Sequence, residues 1–313
     1  MKINSVYLGI DVSKRALHLA TPNKFIREFD NNNTGRCELL KRIQSLAPTS
    51  VVLEASGGYE RRIVELLQEH GIPVSVVQPG CVRYYAKSLN VLAKTDTLDA
   101  RVIARYAQAV QPAPTAKTPL NVRKIRALRD RRDQVVEDRV REENRLEACD
   151  DDEIAQEIQL QIQELRATEK QLQQRILDLL KTDPTFQAKA KVMTGVVGVA
   201  EKTAATLLAH LPELGTLTRG QVAALAGVAP HANESGRYTG KRRIYGGRAA
   251  IRKAMYMAAR TAVRYCPVMK EFYERLKERG KPFKVAIIAC ARKMLIRLNT
   301  LLAKLQAETK MTN

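Results

Sequence analysis

Over the first 110 positions, short apolar runs alternate with longer stretches of helical period. Residues 5–11 (SVYLGID) form a buried-type run that closes on an acid. Residues 16–20 (ALHLA) and 24–29 (KFIREF) read as two further strands, followed by a turn and helix start at 31–35 (NNNTG). Residues 50–55 (SVVLEA) make another buried strand, again with an acid at its end. A helix from about Tyr59 to Glu69 is stopped by His70-Gly71-Ile72-Pro73, residues 74–79 (VSVVQP) give the next strand, and helical pattern returns from Val82 and again from Thr95 to Gln108. Three strands, then alternating helices and strands, predict a mixed α/β sheet over residues 1–111.

The pattern then changes twice. QPAPTAKTP (111–119) holds three prolines in nine residues, so 112–119 reads as a linker. In 120–182, Ile158, Leu165, Leu172 and Leu179 recur every seven residues and Ile154, Ile162 and Ile176 fill a companion row. This predicts central coiled-coil helices bent near Cys149–Asp152. They serve either as a solvated spacer or as a self-association arm giving a dimer or tetramer; a heptad seam needs a partner, which favours the arm. Residues 183–313 read as a second domain, all-α, in which TGVVGV (194–199) before an apolar helix (Lys202–His210) is helix-hairpin-helix-like.

Composition narrows the function. Hydrophobic residues are 45% of the 313, enough for real cores, while aromatics are 5% and tryptophan is absent, which favours helix-rich aliphatic packing. No apolar run reaches membrane-spanning length and MKINSVYLGID lacks a signal-peptide layout, so no membrane partner is expected. The five cysteines form no CxxC pair and read as reduced thiols of a cytoplasmic protein. The four histidines do not cluster, which argues against zinc. The net charge is +20, and residues 231–313 hold 20 Lys and Arg against 5 Asp and Glu. A nucleic-acid partner is the natural reading of so localised an excess.

Inside this basic chain four acids stand out. Asp11 and Glu54 close strands, and strand ends are where α/β sheets build their sites. Asp96 and Asp99, at i and i+3 near a helix start, share a face. Four converging carboxylates would take one or two Mg2+ or Mn2+ ions, because hard oxygen ligands suit hard cations that serve phosphoryl transfer. Each acid also has an ordinary reading: a turn or cap for Asp11 and Asp96, an arginine pair for Asp99, a strand-end salt bridge for Glu54. Their order in the chain favours the metal site.

GIDVSK (9–14), VVLEASGGYE (51–60) and KTDTLDA (94–100) resemble the three acidic blocks of the DEDD transposases of insertion sequences, the IS110 family with its IS1111 group. GVVGVAEKTAATLLA (195–209) and LAGVAPHANESGRYTGKRRIYGGRAAIRKAMYMAA (225–259) are similar to that family's second domain, so the likeness spans nearly the whole chain. Ser56 stands where many relatives carry threonine. The resemblance implies a RuvC-like, ribonuclease-H-type N-terminal domain, an arrangement that the three-strand opening also fits. It maps Asp11, Glu54, Asp96 and Asp99 onto a metal-binding tetrad, and Ser235 onto an essential serine that attacks DNA to form a phosphoserine link. It also implies a non-coding bridge RNA that guides the choice of target and donor DNA.

Without that resemblance Ser235 is an ordinary turn serine in APHANESG. Its surroundings make the role physically reasonable. Arg237, Lys241, Arg242, Arg243, Arg248 and Arg252 follow it, and Gly246-Gly247 opens a helix to about Tyr265 whose start suits a phosphate. With Gly195, Gly198 and Gly247 these basic residues are expected to position a nucleic-acid backbone. A serine hydroxyl must lose its proton to act as a nucleophile. His231 is nearby, but the tetrad is the favoured source of activation, which makes the site composite. Two other functions stay open: a RuvC-like nuclease or junction resolvase in which Ser235 only contacts DNA, and a non-enzymatic architectural protein. The tetrad weighs against the second, the serine-bearing domain against the first.

Overall fold

The computed structural model describes residues 5–91, 96–232, 234–235, 238–240 and 242–312. The chain divides into two compact units, Met1–Lys117 and Thr118–Asn313. No helix among the described residues is long and apolar enough to cross a membrane.

In the first unit β1 (Tyr7–Val12), β2 (Ala16–Ala20) and β3 (Phe25–Asp30) form an antiparallel meander. Then follow α1 (Asn33–Leu46), β4 (Ser50–Glu54), α2 (Arg61–Glu69), β5 (Val74–Val77), α3 (Pro79–Ser88) and α4 (Asp96–Val110). The sheet order is β3-β2-β1-β4-β5, with β1 antiparallel to β2 and parallel to β4. This is the mixed α/β sheet that the pattern predicts. Strand alternation decides its two faces. Leu8, Ile10, Val51 and Leu53 pack with Leu39 and Ile43 of α1 and Ile63 and Leu67 of α2 in one core. Val52 turns the other way and joins Val102, Ile103 and Ala107 of α4. A strand covered on both faces needs no polar alternation, which is why SVVLE is an unbroken apolar run. Each such fully buried aliphatic side chain contributes about 1.5–3 kcal/mol.

The proline-rich segment does more than connect. Ser75 Oγ donates to the carbonyls of Pro112 (2.9 Å) and Ala113 (3.0 Å), Thr115 N donates to Val74 O (2.8 Å), and Val76 N donates to Thr115 Oγ1 (2.9 Å). Its first half therefore lies along β5 and occupies the hydrogen-bonding groups of that edge strand.

The second unit begins with α5 (Leu120–Glu147) and α6 (Asp152–Thr182). The pairs Asn121–Asp183, Arg132–Glu169, Arg139–Glu169 and Glu143–Arg166 fix them as an antiparallel hairpin. The seam of α6 is thus met by α5 of the same chain. It is apolar at its base, where Val122, Ile125, Ile176 and Leu180 enter the main core, and mixed further out, where buried Val135, Ile162 and Leu172 share the seam with ion-paired Arg129, Arg132 and Arg139. Ile154, expected in the companion row, is 48% exposed near the turn. Asp151 caps α6 by accepting from Glu153 N and Ile154 N.

The body of this unit is α7 (Pro184–Thr194), α8 (Glu201–His210), α9 (Arg219–Leu225), α10 (Ala249–Tyr265), α11 (Pro267–Glu278) and α12 (Phe283–Thr312). Leu207, Val222, Met255 and Leu295 are fully buried in its single core. Between α9 and α10 the run expected as a turn is a β excursion: β6 (Pro230–His231), β7 (Glu234–Ser235), β8 (Tyr238–Thr239) and β9 (Arg243–Ile244). The second domain is therefore helical with a small β insertion.

Candidate active site

Three of the four predicted acids are carried to one end and one face of the sheet. Ile10 pairs with Leu53 in the parallel register, so Asp11 and Glu54 follow on neighbouring strands at their C-terminal ends. Adjacent strands lie about 4.8 Å apart. Leu8, Ile10 and Leu53 point into the α1/α2 core, so Asp11 and Glu54 project to the opposite face, where α4 packs. The direction of α4 is fixed by its other end: Gln111 Nε2 donates to Tyr7 Oη (2.9 Å), and Arg105 Nε donates to Pro22 O (3.0 Å). Tyr7 begins β1, so α4 runs antiparallel to β1 and brings its first turn, with Asp99, to the Asp11 end. The side chain of Asp96 lies outside the described residues.

Gly9 makes this approach possible. A Cβ there would sit 2.3 Å from Ala104 N and 2.4 Å from Ala100 O, so the α4 backbone rests directly on β1. The sequence block GIDVSK therefore holds two parts of one device, a glycine that admits the helix and, two residues on, an acid beneath the helix start. The glycine was not singled out from the sequence.

The loops that follow the two acidic strands are laced together. Asn31 Nδ2 donates to Ser13 O (2.9 Å) and to Tyr59 O (3.4 Å), and buried Arg36 donates to Asn31 Oδ1 (2.8 Å). Glu60 Oε2 accepts from Ser56 N (3.1 Å), Ser56 Oγ (2.9 Å) and Gly58 N (2.8 Å). Burial pushes the Glu60 carboxyl up, but these hydrogen bonds outweigh it and hold the group below its ordinary range. Glu60 was missed by sequence reasoning; an acid closing the SGGY loop was the available signal. Among the described residues no group of three or more His, Cys, Asp or Glu side chains stands close enough to hold a metal ion. The donor set fits a hard cation in chemistry and in placement on the sheet, without closing on one.

In the second unit Ser235 lies in β7, paired across the hairpin with Tyr238, and the outer pairs are Pro230–Ile244 and His231–Arg243. The side chain of Ser235, and Gly236, Arg237 and Lys241, lie outside the described residues. His231 packs against Tyr245 with the rings tilted by 43° and their centroids 4.3 Å apart. Arg242 and Arg243 are exposed.

The other basic residues and glycines of the expected phosphate cradle build the scaffold. Both terminal guanidinium nitrogens of Arg248, Nη1 and Nη2, donate to Glu213 (2.7 and 2.8 Å), and Nη1 also donates to His210 O (2.8 Å). Burial pushes the Glu213 carboxyl up, and the Arg248 hydrogen bonds and charge more than reverse it, so the group stays below its ordinary range. Arg252 donates to Gly246 O (2.7 Å). Gly247 has φ +66°, and a Cβ on it would lie 2.2 Å from Gly227 N, so two loops touch backbone to backbone there. Gly198 packs the same way, with its missing Cβ 2.4 Å from Ala258 O of α10. Gly195 is exposed at the α7 C-terminus, and its N–H already donates to Lys191 O (3.3 Å). Burial also pushes the His210 imidazole down, and nearby Arg126 and Arg129 add to this against the attraction of Asp130.

Two family models match the chain: the DEDD transposase model of IS110 over residues 8–151, and the transposase model of the IS116/IS110/IS902 family over residues 190–274. The chain is similar to the pilin gene-inverting proteins of Moraxella lacunata and Moraxella bovis, each 28% identical over 312 residues and covered over 94% of both chains. It also resembles an IS110 insertion-element protein of Streptomyces coelicolor, 31% identical over 141 residues, which is 44% of this chain and 33% of that one.

Proposed function

Because the chain belongs to the IS110 family of transposases, and so is a DNA-cleaving and DNA-joining enzyme, we propose that it recombines DNA through a covalent link to Ser235. In this reading the acids of the sheet edge hold Mg2+ or Mn2+. The observation that carries it is the placement of Asp11 and Glu54 at the ends of neighbouring parallel strands, on the face that receives the start of α4. Asp96 and Asp99 complete the donor set from that helix. A divalent ion, when bound, offsets negative charge on the reacting phosphate.

The chain's own residues divide the remaining work. Ser235 Oγ gives up its proton and bonds to phosphorus; a backbone P–O bond breaks, and the displaced oxygen takes a proton and leaves as a DNA hydroxyl. A hydroxyl of the new partner strand then attacks the phosphoserine, Ser235 regains its proton, and a phosphodiester is restored. One phosphodiester is made for each one broken, so strands are rejoined without an outside energy source. The gene-inverting relatives support such a conservative exchange. Arg242 and Arg243, with Arg237 and Lys241 of the same segment, hold the DNA backbone. Arg248, Arg252, Gly198 and Gly247 support that surface from within, and exposed Gly195 stays available to a nucleic-acid backbone.

The reading includes a non-coding guide RNA, which rests on the family resemblance and on the basic charge of residues 231–313. It also includes self-association as a dimer or tetramer, supported by Val140, Ile154 and Leu160, which stay exposed on the arm. An inversion reporter in cells tests the whole. Asp11→Asn, Glu54→Gln, Asp99→Asn and Ser235→Ala are each expected to reduce inversion at least 100-fold with protein levels unchanged, an order of magnitude set by removal of a reacting or charge-stabilising group. Inversion that survives Ser235→Ala, or strand cutting that yields only free ends, favours a hydrolytic nuclease instead.

A further inference from the structure

A groove of about 420 Å³ lies where the β excursion meets α12. On α12 it takes Lys284, Val285, Ile288, Ala289 and Arg292, a spacing that puts all five on one helix face. From the excursion it takes Arg242, Arg243 and Ile244, with Val228 beneath. Among the described residues, the floor is aliphatic and the rim carries four cations and no carboxylate.

We infer that this groove binds an unstacked nucleotide of single-stranded DNA, base on the aliphatic floor and phosphates on the arginine and lysine rim. Charge complementarity selects an anion, and the aliphatic floor selects one with a flat apolar surface. A duplex keeps its base faces stacked inside and offers the floor nothing, so the strand must be unpaired. The polar side chains of the described lining are cations placed for phosphates, and an aliphatic floor accepts the face of any base, so binding is tolerant of sequence. The groove lies on the excursion that carries Ser235. Pro230, which lines the groove, and Ser235 are five residues apart in the chain, at most about 18 Å when extended, a span of a few nucleotides. Resting on the proposed recombination, the groove holds a base freed within a few nucleotides of the attacked phosphate and keeps the opened strand from reannealing.

The test is equilibrium binding of the full chain, without divalent metal, to a fluorescent single strand and to its duplex. Ala289→Phe fills the floor, and Ala289→Leu fills it in part; circular dichroism and duplex binding report whether each variant is folded. Ala289→Phe is expected to weaken single-strand binding about tenfold and duplex binding less than twofold, with Ala289→Leu in between. Arg292→Ala is expected to lower the salt slope for the single strand by about 0.7, the share of one phosphate contact. Equal losses for strand and duplex, or none for either, overturn the inference. So does an acidic apolar peptide that binds wild type and is lost in Ala289→Phe while the strand is kept. No cutting is read, so failure of the serine chemistry leaves this result unmoved.

Discussion

The acidic edge of the first unit and the serine-bearing segment of the second are built in opposite ways. The acids stand at the ends of regular strands, and their positions follow from register, alternation and one glycine contact. The serine stands on a two-residue strand inside an excursion whose pairings are each two residues long. Among the charged groups around it, those that resemble ligand-binding residues in sequence are divided by structure: Arg248 is half-buried and taken up by Glu213, while Arg243 is exposed. A regular element fixes chemistry through short-range rules. An irregular one depends on partners far along the chain, so charge alone does not separate scaffold from site.

The sharpest way to break the acidic edge is to deny α4 its approach. Gly9→Ala puts a methyl group into the α4 backbone and is expected to lower unfolding free energy by about 3 kcal/mol and abolish recombination. Denaturant titration beside the inversion reporter reads both. An unchanged stability would mean that α4 does not rest on β1 as described.

The division within the basic segment is tested by a pair of substitutions. Arg248→Ala is expected to cost about 1–2 kcal/mol of stability, a figure kept low because the pair is partly exposed to solvent, with DNA affinity per folded molecule kept. Arg243→Ala is expected to do the reverse: stability within about 0.5 kcal/mol and a several-fold weaker, less salt-dependent affinity. Interchanged outcomes would reassign the two arginines.

A smaller effect follows from His210. Its imidazole is held below the ordinary pKa, chiefly by burial, so the folded state favours the neutral ring. Stability from this group is full above the unfolded value near 6.5 and falls as pH drops through that value toward the folded one. A melting series from pH 8 to 5 should show a drop of a few degrees that flattens in His210→Gln; a matching drop in the variant would place its origin elsewhere.

Much of the first unit was legible in sequence because each strand announced itself by a short apolar run and two of them ended on acids. The helical hairpin was half legible. Its α6 seam shows in the leucine and isoleucine spacing, whereas α5 meets it with Val122, Ile125 and Val135 interrupted by Arg129, Arg132 and Arg139, and those arginines break the apolar periodicity. The β excursion was illegible because its pairings lie within a polar, glycine-rich run. The Glu213–Arg248 pair was hidden by its 35-residue separation. Glycines 198 and 247 looked like phosphate cradles, and only the neighbouring backbone shows that close packing requires them.

The central claim is the covalent step, and one measurement meets it directly. The protein is incubated with end-labelled recombination-site DNA, RNA transcribed from the flanking element and Mg2+, then denatured and resolved by gel, and the labelled band is digested to peptides. The expected result is label that travels with wild-type protein, maps to the peptide containing residue 235, and is missing in Ser235→Ala. Cut DNA with free ends, no label on protein and undiminished cutting by Ser235→Ala would contradict it.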